Sequence, residues 1–214
     1  MSERVRISKG ALGQAVEKAT EVLSHGGVIL YPTDTLYGLG ADAFSDEGVD
    51  KVVAIKGRDE KKPIHCIVAD MAMAGEYADI SDDARLLAKE FFPGPLTLVL
   101  RKRQEFGHGI GRYRDTVGIR IPDNEFCLSL AAHFGRPFTT TSANNAGKSH
   151  AFSIDGILAQ LGAVARSIDL VVDAGEILAC MASTVVDLSG EEPVILREGA
   201  VEVADIWNTL RAEG

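Results

Sequence analysis

The apolar residues of this chain keep changing their period, and that switching constrains the fold more than any other feature. Leu12, Val16, Ala19 and Leu23 recur at helical spacing, and Gly26-Gly27 stops the helix they define. Val28 to Tyr31 follows as a buried strand ended by Pro32. A second helix is predicted from Ser45 to about Lys56, a strand over 64–68, and a helix capped by Ser81 and broken by Pro93-Gly94-Pro95. Leu96 to Leu100 reads as β. Thr116 to Ile121 alternates, so Thr116, Gly118 and Arg120 share one face. Helices are predicted over 124–134, 153–161 and 203–211, and strands over 138–141, 170–173, 183–188 and 194–197. Strands and helices interleave, yet several strands follow one another near the end. The expected class is α/β, a mixed sheet with flanking helices and not a doubly wound parallel one.

Composition narrows the function classes. The chain has 214 residues, 46% apolar and 25% charged, which suits one domain spanning 1–214 with a packed core. Its net charge of −9 argues against a surface that coats nucleic acid, while leaving room for a local basic face. No run approaches the ~20 apolar residues of a membrane helix, and the first residues lack the apolar stretch of a signal peptide. The cysteines, at 66, 127 and 180, are odd in number and widely spaced, which fits a reducing cytoplasm and no disulfide framework. The histidines are scattered, so no protein-held metal site is expected.

Four segments carry polar groups at strand or helix ends. Tyr31 to Gly40 (YPTDTLYGLG) places hydroxyls, a carboxylate and phenols in a loop, which is either a turn held by local hydrogen bonds or a binding loop. Lys56-Gly57-Arg58, followed by Lys61-Lys62-Pro63, reads as a helix C-cap or as an anion site pairing a point charge with a planar fork. Ser142 to Ser149 (SANNAGKS) follows the strand at 138–141 and is either a solvated turn or a nucleotide or amino-acid site. It falls one residue short of the phosphate loop GxxxxGK[ST], because Ser142 stands at the first glycine and would obstruct close backbone approach to phosphate. Ser183 to Asp187 and Ile195 to Gly199 read as ordinary strand ends when taken singly. Gly107 to Gly111 fails the context test for a dinucleotide fingerprint and is expected to be a mobile loop.

Taken in order, these segments resemble the YrdC/Sua5 family, the L-threonylcarbamoyladenylate synthases. The matching pieces are YPTDTLYGLG (31–40), KGR (56–58), KPI (62–64), FFPGPLTLVL (91–100), TVGIRIP (116–122), TTSANNAG (140–147), STVVD (183–187) and LREG (196–199). Lys56, Arg58, Ser142 and Asn144 resemble the family's KxR…SxN tetrad. Ala146 stands where the family often has a second serine, which removes one hydroxyl contact. The resemblance implies a YrdC-like twisted sheet with a large open, positively charged cavity, in the short form without the additional C-terminal Sua5 domain. It implies a nucleotidyltransferase that condenses L-threonine, bicarbonate and ATP into threonylcarbamoyl-AMP and pyrophosphate. This is the first step of t⁶A formation at tRNA position 37, completed by a downstream threonylcarbamoyl transferase complex.

By resemblance and chemistry together, Lys56, Arg58, Ser142 and Asn144 are expected to carry the chemistry. ATP is assigned to the same four with Thr116 and Arg197. L-Threonine is assigned to Thr35, Arg120, Thr140 and Ser183, with Arg120 as a bidentate partner of its carboxylate. Thr33 and Lys62 are second-rank candidates. Mg²⁺ is expected to travel with ATP, held mainly by phosphate and water, with no organic cofactor. A tRNA or double-stranded RNA is a further implied partner. The competing readings are a YciO-like RNA-binding paralogue without this activity and a phosphate-loop NTPase through Gly147-Lys148-Ser149.

Overall fold

A computed structural model of the chain describes residues 2–7, 10–57, 63–103, 106–112, 114–145, 151–177 and 181–212. The elements in order are β1 (Glu3–Arg6), α1 (Leu12–Ser24), β2 (Ile29–Tyr31), β3 (Gly38–Gly40), α2 (Asp46–Lys56), β4 (His65–Ile67), α3 (Met71–Tyr77), α4 (Asp82–Phe91), β5 (Leu96–Arg101), β6 (Thr116–Arg120), α5 (Glu125–Phe134), β7 (Phe138–Ser142), α6 (Ile154–Leu161), β8 (Leu170–Asp173), β9 (Thr184–Asp187), β10 (Val194–Arg197) and α7 (Val203–Arg211). Several helices begin where the sequence provides side-chain caps. Ser45, Ser81, Asn124 and Ser153 each accept a backbone N–H from the first turn of α2, α4, α5 and α6.

The strands form one 10-stranded sheet in the order β1-β8-β2-β3-β7-β4-β6-β5-β9-β10. The pairs β1/β8, β2/β8, β4/β6 and β5/β9 are parallel and the others antiparallel, so the sheet is mixed as expected. Its two faces are covered unequally. On one face, α2 and α6 pack Val52, Ile55 and Ile157 onto Leu30, Leu39 and Val171, while α3, α4 and α7 pack Ala74, Leu87 and Ile206 onto Cys66, Leu98, Ile119 and Val186. On the other face, α1 and α5 bury Ile29, Tyr31, Ile67 and Phe138. Side chains alternate along a strand, so Thr140 shares a face with Phe138, and His65 with Ile67. The cover given by α1 and α5 stops short of these residues, and the gap is where the cavity opens.

Four segments differ from expectation. Residues 38–40 are a strand, not part of a loop, because the glycines lie against the buried Tyr31 ring. A Cβ at Gly40 would stand 2.8 Å from Tyr31 Cε1, and one at Gly38 3.0 Å from its Cζ. The short β1 and the seven-residue α3, capped by Asp70, carry too few periodic residues to be read from the sequence. The glycine segment at 107–111 is packed against the body of the fold. It contains a 3₁₀ turn (Gly109–Gly111) with both glycines buried, and Ile110 N–H donates to Ala43 O at 3.0 Å. A Cβ at Gly109 would meet Ala43 O at 1.9 Å, so close packing is what requires glycine there. Cys66 and Cys127 are buried free thiols. No helix among the described residues is long and apolar enough to cross a membrane.

Candidate functional site

A cavity of about 280 Å³ gathers side chains from separate parts of the chain. The β2–β3 connection supplies Thr33 and Thr35, the last turn of α2 Lys56, and β6 its final residue Arg120. The end of β7 and the residues after it supply Thr140, Ser142 and Asn144, with Ser183 coming from the start of β9 and Arg197 from the end of β10. Thr116 lies apart from them, in an adjoining depression of about 100 Å³ that shares Pro63 and His65 with the main cavity. Arg58 and Lys62 lie outside the described residues.

One corner is organised by Lys56. Helix α2 ends on Gly57 in the left-handed conformation (φ 56°), which turns the chain just after Lys56 and leaves that side chain 4% exposed. Its ammonium donates to Ser142 O and Asn144 O, both at 2.5 Å, and to Asn144 Oδ1 at 2.7 Å. Ser142 Oγ in turn donates to Asn144 Oδ1 at 2.6 Å. Three members of the tetrad, up to 88 residues apart in sequence, therefore form one hydrogen-bonded unit. The Lys56 charge thus reaches beyond its own helix end to residues 142 and 144.

The second corner is built on Arg120. Its Nη2 donates to Asp34 Oδ1 at 2.5 Å and to Thr35 Oγ1 at 2.8 Å. The two ionic side chains are only 7% and 10% exposed, and the other oxygen of Asp34 accepts Asp123 N–H at 3.2 Å. The Arg120 Nε–H is buried and has no hydrogen-bond partner among the described residues. Part of the fork expected for a substrate carboxylate, its Nη2, is thus spent on Asp34 and Thr35. Thr33 holds the loop itself: Thr35 and Leu36 donate backbone N–H to its Oγ1 at 3.1 Å, and it donates to Leu36 O at 2.7 Å. Its hydroxyl shapes the wall that presents Thr35.

Arg197 forms the third corner. Its Nε and Nη2 donate to Ser183 O at 3.1 and 2.7 Å, and Nη2 reaches Ser183 Oγ at 2.9 Å. Burial lowers its affinity for a proton, and the positive charge of Arg120 lowers it further. Two guanidiniums that sense each other in one cavity leave it poised for an anion. Gly199 makes this corner possible, since a Cβ there would stand 2.3 Å from Ala182 O. The described residues lining the cavity include no carboxylate, and its donors suit an anion.

Sequence reasoning missed several participants. Asp34 stood inside a quoted motif, but nothing local reveals that it faces Arg120. Thr97 looked like one more β-former in Leu96 to Leu100, yet it alternates onto the cavity face. Tyr37 donates to Gly175 O at 2.7 Å and accepts Ala174 N–H at 2.9 Å, pinning the segment after β8 to the cavity rim. His65 lines both depressions because its neighbour across the β4/β6 ladder is Gly118. A Cβ at 118 would lie 2.4 Å from the His65 ring, so the glycine of TVGIRIP is the seat of that ring.

These motifs also identify the chain by comparison. The Sua5/YciO/YrdC family, described as "Telomere recombination", matches residues 21–199. The chain belongs to this family. It is 34% identical over 193 residues to the threonylcarbamoyl-AMP synthase of Pyrococcus abyssi, covering 90% of this chain but only 56% of that protein. It is 34% identical over 198 residues to the putative threonylcarbamoyl-AMP synthase of Mycobacterium leprae, covering 92% of this chain and 88% of that one. Among solved structures, P. abyssi Sua5 complexed with L-threonine superposes with a TM-score of 0.86 at 31% identity, covering 99% of this chain and 61% of that one. E. coli YciO superposes with a TM-score of 0.82 at 25% identity, covering 95% and 98%.

Proposed function

We propose that this chain is a threonylcarbamoyl-AMP synthase. It would act in the cytoplasm, condensing L-threonine, bicarbonate and ATP into threonylcarbamoyl-AMP and pyrophosphate for a downstream tRNA-modifying complex. The observation that carries the proposal is one cavity in which the Lys56–Ser142–Asn144 unit faces two mutually repelling guanidiniums. Relatives across the family bear the synthase name, and one solved relative is complexed with L-threonine.

The reaction asks the protein for little covalent help. The threonine amine adds to bicarbonate carbon and water is lost, giving an N-carboxylate whose oxygen attacks the α-phosphate of ATP as the bond to pyrophosphate breaks. Both reactants are anions, so the task is to hold them together and to neutralise charge on the leaving oxygens. In this reading the threonine carboxylate meets the cavity-lining guanidinium of Arg120, beside Thr35 and Thr140. Ser142 and Asn144, held by Lys56, serve the α-phosphate, and the family resemblance gives the pyrophosphate to Arg58, outside the described residues. Thr116, in the adjoining depression, takes the nucleoside end, with Arg197 between the two substrates. Mg²⁺ arrives on ATP and supplies further neutralisation of the phosphates.

Basic residues that could form an RNA-binding face, Arg101 to Arg103 and Arg112, are engaged within the fold. Arg101 donates to Ser189 O, Lys102 to Gly111 O, Arg103 pairs with Asp79, and Arg112 pairs with Asp46 and Asp50. Incubation with ATP, Mg²⁺, bicarbonate and labelled threonine is expected to release pyrophosphate and a threonine-containing adenylate. Salt-sensitive RNA binding with no such product would favour the YciO-like alternative. Threonine-independent ATP turnover abolished by Lys148→Ala, and not by Lys56→Ala, would favour the phosphate-loop reading.

A further inference from the structure

Two hydroxyls in the cavity form a unit with an unspent proton. Thr97 Oγ1 and Ser183 Oγ lie 3.0 Å apart, and both residues line the cavity although they are only 1% and 4% exposed. Ser183 Oγ also accepts the Nη2–H of Arg197 at 2.9 Å. Arginine only donates, so the direction of that bond is fixed. The Thr97–Ser183 bond can run either way, but the count of protons does not depend on the choice. Two hydroxyls bring two protons, and one is consumed between them. The other has no acceptor among the described residues. Of the four lone pairs, one accepts from Arg197 and one takes the shared proton, which leaves two. The unit thus presents one donor, together with spare acceptor capacity, to whatever fills the cavity.

A buried O–H without an acceptor is costly, so this pattern points at a ligand group. Carboxylates and phosphates only accept, and they find guanidiniums in the same cavity. A neutral hydroxyl both gives a proton and accepts one, and it is the match for this pair. We infer that Thr97, acting with Ser183, is a specificity-determining residue that reads the side-chain hydroxyl of the amino-acid substrate. This inference rests on the function proposed above and extends it to a residue outside the expected set. A site built to bond a hydroxyl discriminates against an analogue that lacks one, because its own polar groups are then left unpaired.

The test measures calorimetric binding of L-threonine and of L-2-aminobutyrate, which keeps the side-chain carbons but lacks the hydroxyl. Wild type should prefer threonine. Thr97→Val should weaken threonine by about tenfold while leaving 2-aminobutyrate unchanged, and Thr97→Ser should retain the wild-type preference. Thr97→Ala serves the same purpose if valine is not accommodated. Equal weakening of both ligands, an undiminished preference in the variants, or a wild type that does not distinguish the ligands would each overturn the inference and leave the functional reading standing. A wild type that binds neither amino acid would overturn the functional reading, and this inference with it.

Discussion

The Lys56 and Arg120 corners of the cavity both bury a cation, yet they hold it differently. The Lys56 ammonium is wrapped by oxygens of Ser142 and Asn144 from the opposite wall. The Arg120 guanidinium meets one carboxylate and one hydroxyl and keeps a buried N–H unused. An ion wrapped by backbone and amide oxygens fastens two chain segments together. An ion that lines the cavity with only one end of its fork spent is left to take a ligand. Charge alone does not separate these roles, whereas the hydrogen-bond inventory does.

The largest expected effect comes from the Arg120 corner. Arg120→Ala should weaken L-threonine binding about 100-fold or more, since it removes the cation and leaves Asp34 buried and unpaired. Arg120→Lys should cost less, roughly 10-fold, because a point charge cannot serve Asp34, Thr35 and a carboxylate together. Calorimetry with threonine checks both, and an unchanged affinity in Arg120→Lys would break the comparison. Lys56→Met should act first on the fold, lowering stability by about 2–3 kcal/mol in denaturant unfolding as charge-assisted bonds to Ser142 and Asn144 are lost. A normally stable Lys56→Met protein that still binds ATP would mean that this ammonium fastens nothing.

Gly118→Ala sharpens the comparison between side chains that bind and residues that make room. A Cβ 2.4 Å from the His65 ring forces a shift at the floor, for which about 1–3 kcal/mol of stability should be lost in thermal unfolding. Insensitivity of both Tm and ligand binding would show that the floor yields freely. The smallest effect is expected away from the cavity, at Asp46. The Gly109 N–H holds its carboxyl below the ordinary carboxylate range, and the charges of Arg112 and His108 add to this against partial burial. A depressed folded-state value stabilises the fold above the unfolded-state value near ~4 and loses that contribution as pH falls through the depressed one. Asp46→Asn should therefore lower Tm slightly at neutral pH, with the difference vanishing in strongly acid solution. A constant offset across that range would assign the effect to packing.

Much of the fold was legible because its signals are local. Leu12, Val16, Ala19 and Leu23 mark one face of α1, and Ser45, Ser81, Asn124 and Ser153 stand at the caps where helices begin. The candidate site was legible in a weaker sense. Its motifs could be marked, and the described ones other than Thr116 do converge, yet their partnerships could not be read. Asp34 and Arg120 are 86 residues apart, and Thr97 and Ser183 are also 86 apart. No period or cap connects residues at such separations. The glycines at 38 and 40 misled for a related reason, since the residue that requires them is the Tyr31 ring on the neighbouring strand.

Local chemistry, written in the order of residues, determined where helices and strands begin and end and which strand ends carry polar groups. The strand order of the sheet was decided only in three dimensions. It brought β7 between β3 and β4, set Lys56 against Asn144, and left the stretch beyond the cover of α1 and α5 open as a cavity. The physical reason is that periodicity and capping act within a few residues. Burial, ion pairing and hydrogen-bond satisfaction act between any atoms the fold brings into contact.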